Sequence, residues 1–166
     1  MLIPFQDKTP VVDSDAFVAD NASVIGDVEI GRDSSVWFGA VIRGDHAPIR
    51  IGQGTSIQDN CVLHCEPGRP MQIGSNVTVG HSAVVHCSEV GDNVLIGMGA
   101  ILLDGAKIGA NSIVGAGAVV KENAVIPENS MVVGVPGKII RTLEGEQIEE
   151  RKKTSPYVAL SKKYME

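Results

Sequence analysis

Aliphatic residues return at every sixth position along most of this chain, and few folds tolerate that period. Between Val12 and Val132 twenty such positions align, among them Val18, Val24, Ile30, Val36, Ile42, Ile51, Ile57, Leu63, Ile73, Val79 and Val85. A small residue follows most of them four places on, as at Ala16, Ala22, Ala40, Ala83, Ala100 and Ala118. Glycine often comes directly after the aliphatic, as at Gly31, Gly52, Gly74 and Gly97. An amphipathic helix repeats at about 3.6 residues and a half-buried strand at about 2, so a period of six belongs to neither. It fits a parallel β-helix, in which each hexad is a short strand and a turn. The aliphatic side chain fills the interior and the small one the tight corner. Three hexads make one coil, coils stack about 4.8 Å apart, and twenty hexads make six to seven coils. The predicted class is an all-β solenoid spanning residues 1–137.

The period slips in three places: between Ile42 and Ile51, between Leu63 and Ile73, and between Val85 and Val90. The first two slips read as loop insertions, His46-Ala47-Pro48 and Glu66-Pro67-Gly68-Arg69-Pro70, rich in turn-forming residues. Insertions in solenoids tend to mark a binding face. After Pro136-Gly137 the pattern ends. Residues 138–166 read as a C-terminal α-helical segment packed on the prism, with helices over Glu144–Lys153 and Tyr157–Tyr164 and Leu143, Ile148, Val158 and Leu160 as its apolar contacts. The run Glu149-Glu150-Arg151-Lys152-Lys153 reads as a solvated helix face.

Charge and composition narrow the partners. A net charge of −6 argues against nucleic acid. No 18-residue apolar stretch suggests a membrane span and the first residues carry no secretory pattern, so a soluble, cytoplasmic protein is expected. Three cysteines without framework spacing suit a reducing compartment. Cys65 and Cys87 each stand two residues after a repeat aliphatic in successive coils, so the two thiols are expected to be neighbours: partly buried structural thiols by preference, with a soft-metal site or a disulfide as the alternatives.

The same register stacks the polar residues. Ile42, Leu63 and Val85 open the same face in three successive coils, so Arg43, His64 and His86 form a ladder with about 4.8 Å between rungs. Two imidazoles at that spacing can reach one metal ion. Ile57 and Val79 open a different face, which puts Asp59 and His81 one coil apart there. His81 precedes His86 by five residues, up to about 17 Å of extended chain, whereas zinc needs its ligands about 2.0–2.1 Å away. Convergence of all three imidazoles therefore calls for His81 from a neighbouring subunit. A triangular prism closes naturally into a cyclic trimer, with one shared metal site at each interface. His46, in the first insertion, falls outside the ladder and is not expected to be a ligand.

Arg43-Gly44-Asp45, Gln58-Asp59-Asn60, His64, and His81 with His86 five residues on resemble the active-site pattern of gamma-class carbonic anhydrases, over essentially the whole chain. The resemblance implies a left-handed parallel β-helix and a homotrimer. It implies zinc, or alternatively ferrous iron, held by His64 and His86 of one subunit and by the neighbour's copy of His81. It further implies reversible hydration of carbon dioxide to bicarbonate by metal-bound hydroxide. Gln58 would orient the hydroxide or the substrate. Arg43 would pair with Asp59 or, across the interface, with Asp45 of the partner subunit. The short insertion, with Glu66 as its one acid, is similar to the subclass without the acidic proton-shuttle loop, so proton export falls to buffer, His46 or Glu66. Tyr157 is a further residue that could approach the pocket.

Two other functions fit parts of the sequence. Gly134-Val135-Pro136-Gly137-Lys138 resembles the segment that closes the β-helix in hexapeptide-repeat acyltransferases, coenzyme A-dependent enzymes that use one histidine as a general base. A metal-binding scaffold with little activity is the other. Three histidines in adjacent coils have no purpose in acyl transfer, which favours the hydratase.

Overall fold

The computed structural model describes residues 1–166 as a parallel β-solenoid of three faces. Each face is a ladder of seven short strands, so the prism has seven coils. The first face carries Val41–Gly44 (the start of strand Val41–Ile51), Val62–His64, Val84–His86, Ile101–Leu102 and Val119–Val120 in that stacking order. The second includes Ile49–Ile51, Met71–Ile73, Glu89–Val90, Lys107–Ile108 and Val125–Ile126. The third includes Ser35–Val36, Ser56–Ile57, Thr78–Val79, Leu95–Ile96, Ile113–Val114 and Ser130–Val133.

The repeat aliphatics sit above one another in this register: Ile42 on Leu63, Leu63 on Val85 and Val36 on Ile57. All five are fully buried, and each such side chain contributes about 1.5–3 kcal/mol by leaving water. Because the core is a single column, a coil is held mainly by its two neighbours.

One corner is held by an amide ladder that the six-residue pattern does not reveal. Asn76, Asn93, Asn111 and Asn129 all have left-handed backbone, a conformation asparagine tolerates better than most residues. Each side-chain amide donates to the next at 3.1, 3.0 and 2.9 Å. Asn76 also donates to the carbonyls of Arg151 and Lys153 and accepts from the Ser155 amide, which ties the C-terminal helices to the prism.

The slips in the period take three forms. Glu66–Pro70 is a loop, as expected. His46-Ala47-Pro48 is not a loop: strand Val41–Ile51 runs through it unbroken. The extra residues are taken up by a register shift against Ser23–Ile30, between Gly26 and Val28, so that one long strand bends across two faces. Between Val85 and Val90 the chain is one residue short, and Cys87 takes a left-handed conformation to turn the corner.

Beyond Gly137 the chain first forms a strand, Lys138–Thr142, antiparallel to Ser130–Val133 at the end of the stack. Two helices follow, α1 (Glu146–Lys152) and α2 (Pro156–Lys162). Ser155 caps α2 by accepting from the Tyr157 amide, with Pro156 at the first helical position, where a missing N–H costs nothing. Lys162 anchors α2 by pairing with Asp33 and donating to the Asp15 carbonyl, each at 2.7 Å. Leu143 is buried, whereas Leu160, expected among the contacts, faces solvent. The Glu149–Lys153 run is exposed and internally ion-paired, as a solvated face should be.

Candidate metal centre

The first face delivers the expected ladder: Arg43 pairs with His64 and His64 with His86 in register. Nδ1 of His64 lies 3.2 Å from Nε2 of His86. The other nitrogen of each ring is already engaged. Nε2 of His64 is 3.2 Å from Oδ1 of Asp45, and Nδ1 of His86 is 2.5 Å from Oδ1 of Asp104. A carboxylate only accepts, so this network assigns the ring protons to the outer nitrogens. With both rings neutral, the two inner nitrogens present lone pairs to each other across 3.2 Å, an arrangement that a cation between them relieves. Tetrahedral zinc with bonds of about 2.0–2.1 Å holds its nitrogen ligands roughly 3.3 Å apart. The pair therefore fits a divalent ion without rearrangement.

Burial and local charge act on His64 and Asp45 in particular. Burial and the nearby Arg43 guanidinium lower the pKa of His64, outweighing the opposing pull of Asp45, so His64 stays neutral and able to ligate. Burial pushes Asp45 up, but the hydrogen bond and charge of Arg43 outweigh it and hold the carboxyl below its usual range. Within the chain Arg43 pairs with Asp45 at 2.6 Å, not with Asp59. The reason is strand geometry: residues two apart on one strand point to the same side. Gly44 between them is obligatory, since a Cβ there would stand 2.6 Å from the Asp27 carbonyl oxygen.

His81 stands elsewhere. It lies at the corner after the third face, with Nδ1 2.8 Å from Oδ2 of Asp59, and it belongs to none of the metal-capable groups within the chain. About half of its side chain is exposed, and Asp59 fixes its tautomer with Nε2 free. Gln58 beneath it is 3% exposed. Its Oε1 accepts from the His81 amide at 3.2 Å, while its Nε2 is buried with no partner. A buried donor left unpaired costs about 1–3 kcal/mol, and one beside an outward-facing imidazole is suited to an incoming polar ligand.

Three further residues border the pair. Glu66 Oε1 is 3.9 Å from Nε2 of His86. The exposed His46 lies with its ring centroid 5.3 Å from that of His64, closer than a place outside the ladder suggested. Asp104 was not singled out from the sequence, although it stands eighteen residues after His86, one coil on, and that spacing was the available signal. Cys65 and Cys87 are both buried and unpaired; the amide of Cys87 donates to the His64 carbonyl at 3.0 Å, confirming them as neighbours. Burial pushes the Cys65 thiol up to about 12 and raises that of Cys87, so neither is a thiolate at neutral pH. Tyr157 packs against Trp37, centroids 6.1 Å apart, within an aromatic cluster that also holds Phe17, Phe38 and Tyr164.

Fold and site together define a hexapeptide-repeat solenoid with a histidine-rich centre. The models described as "Bacterial transferase hexapeptide (six repeats)" and "Hexapeptide repeat of succinyl-transferase" match residues 87–122 and 70–103. A carbonic anhydrase of Geobacillus kaustophilus is 51% identical over 90% of this chain and 82% of its own length. The mitochondrial gamma carbonic anhydrase 2 of Arabidopsis thaliana is 49% identical over 86% of the chain, which spans 53% of that longer protein. Among solved structures, a hexapeptide transferase family protein from Anaplasma phagocytophilum superposes with a TM-score of 0.94 at 40% identity, covering 98% of this chain and 97% of its own. The chain belongs to the gamma-class carbonic anhydrase family, whose members are lyases. No helix is long and apolar enough to cross a membrane.

Proposed function

We propose that the protein catalyses reversible hydration of carbon dioxide to bicarbonate in three equivalent sites, each shared between two subunits of a homotrimer. The observation that carries this reading is the split of the imidazoles. Nδ1 of His64 and Nε2 of His86 face one another at 3.2 Å, while His81 turns a free nitrogen outward from another corner beside Asp59. A neighbouring copy supplying His81 would give the pair its third ligand. The surface is suited to such a neighbour. Backbone bonds stack Phe38, Asp59, His81 and Met98 in one column; Phe38 and Met98 are exposed, as is Val62 next to the first-face pair. Exposed apolar side chains around a polar centre are what an interface covers.

His64, His86 and the neighbour's copy of His81 would hold zinc or ferrous iron. A divalent ion so held supplies Lewis acidity, which brings deprotonation of water close to neutral pH. Gln58, arriving with His81, directs its unpartnered amide donor at the oxygen of the nucleophile or of carbon dioxide. Asp45 holds the ring of His64, and Asp59 that of His81, in ligating tautomers. Arg43, anchored by Asp45, places fixed positive charge where the bicarbonate anion forms. The proton released leaves through Glu66 or His46, which border the pair on the solvent side.

The acyltransferase reading rests on the shape shared with hexapeptide transferases. It gives no role to the facing imidazoles or their carboxylate partners. Stopped-flow carbon dioxide hydration on protein of measured metal content tests the choice. Hydration that scales with about one zinc or iron per chain supports the reading. Acyl transfer from coenzyme A thioesters by metal-free protein, without hydration, would replace it.

A further inference from the structure

Asp104 comes from the sixth coil, beyond the two coils that carry the facing imidazoles. The strand Ile101–Leu102 stacks on Val84–Val85, and the Gly105 amide donates to the Cys87 carbonyl at 2.9 Å. These contacts fix the corner so that Asp104 Oδ1 lies 2.5 Å from Nδ1 of His86. Its other oxygen is 3.8 Å from the guanidinium of Arg69, in the loop that also bears Glu66. The Asp104 and His86 side chains are each about a quarter exposed, so water screens their contact only in part.

We propose that Asp104 is a positioning residue for the metal centre. It accepts the Nδ1 proton of His86 and so aims the Nε2 lone pair at the point between His86 and His64. The two nitrogens of an imidazole diverge across the ring. A carboxylate on Nδ1 cannot share an ion bound at Nε2, and its part is to set the tautomer and raise the basicity of the ligand. Outer carboxylates of this kind typically account for 10- to 100-fold in metal affinity. Through Arg69 the same carboxylate also steadies the loop that carries Glu66 above the pair. This rests on the metal-centre reading proposed above.

The test is titration of metal-free protein with zinc and cobalt(II) against a chromophoric chelator, for wild type, Asp104→Asn, Asp104→Ala, His86→Ala and His86→Ala/Asp104→Asn. Asp104→Ala should weaken binding about 10- to 100-fold and shift the cobalt visible spectrum. Asp104→Asn, close in shape and able to accept only a neutral hydrogen bond, should fall between Asp104→Ala and wild type, and its effect should vanish in the His86→Ala background. Tight binding by wild type with unchanged affinity and spectrum in both Asp104 variants would overturn the positioning role alone. An equal loss with and without His86 would overturn it too. Failure of wild-type protein to bind either ion would remove the metal-centre reading and the inference together.

Discussion

Coils three to five and coils six to seven share one architecture and differ in how strictly they keep the repeat. From Val90 to Val132 every sixth residue is aliphatic without a break, and the coils there stack simple two-residue strands, ending with Ser130–Val133. From Val41 to Val90 the period slips three times, one strand lengthens to eleven residues, and a loop appears at Glu66–Pro70. The residues of the proposed metal centre gather in this irregular stretch. An interior aliphatic column can only stabilise, so chemistry falls to the side chains between the repeat positions, and the insertions add His46 and Glu66 beside them. The regular coils supply the rigid floor, and Asp104 is the one group they send back into the site.

Substitutions in the two regions should separate activity from stability. The largest effect is expected from His64→Ala. It should abolish tight metal binding and lower carbon dioxide hydration by more than about 100-fold, beyond the range of outer-sphere changes, while the folded content seen by circular dichroism is kept. Ile108→Ala, in the regular sixth coil, should do the reverse. It should cost about 2–5 kcal/mol in urea unfolding and leave metal affinity per folded chain unchanged. A matching loss of metal affinity would mean that the two regions are not separable.

A smaller effect distinguishes the buried thiols from the site. Burial, above all, raises Cys61 from 9.0 to about 11, so the folded state disfavours its thiolate. That preference is harmless below pH 9 and costs stability as pH climbs from 9 toward 11, by about 1 kcal/mol at pH 10. Cys61→Ala should flatten this alkaline decline in the urea midpoint without altering metal affinity. An unchanged decline would show that other groups cause it.

The same contrast explains what could be read from the residues. The coil count, the Arg43–His64–His86 ladder and the Asp59–His81 pair followed from arithmetic, because a six-residue period fixes which face each side chain joins. Reading failed where the period no longer governs. His46-Ala47-Pro48 looks like a loop by composition, yet the chain runs extended through it between two paired stretches of one strand, Val41–Gly44 and Ile49–Ile51. Arg43 takes its acid two residues along the same strand, a contact set by strand geometry and not by the stacking of coils. Asp104 sits at a corner, where the side-chain direction depends on the turn and not on the repeat.

Sharing of the site between chains is most directly tested by co-assembling His64→Ala with His81→Ala protein and titrating the mixture with cobalt(II). Neither variant alone should bind tightly. Mixed trimers should regain about one site each, at the interface that joins intact His64 and His86 to an intact His81, with a wild-type visible spectrum. Mixed trimers, isolated through a different affinity tag on each variant, that bind no ion would contradict a centre built from two chains.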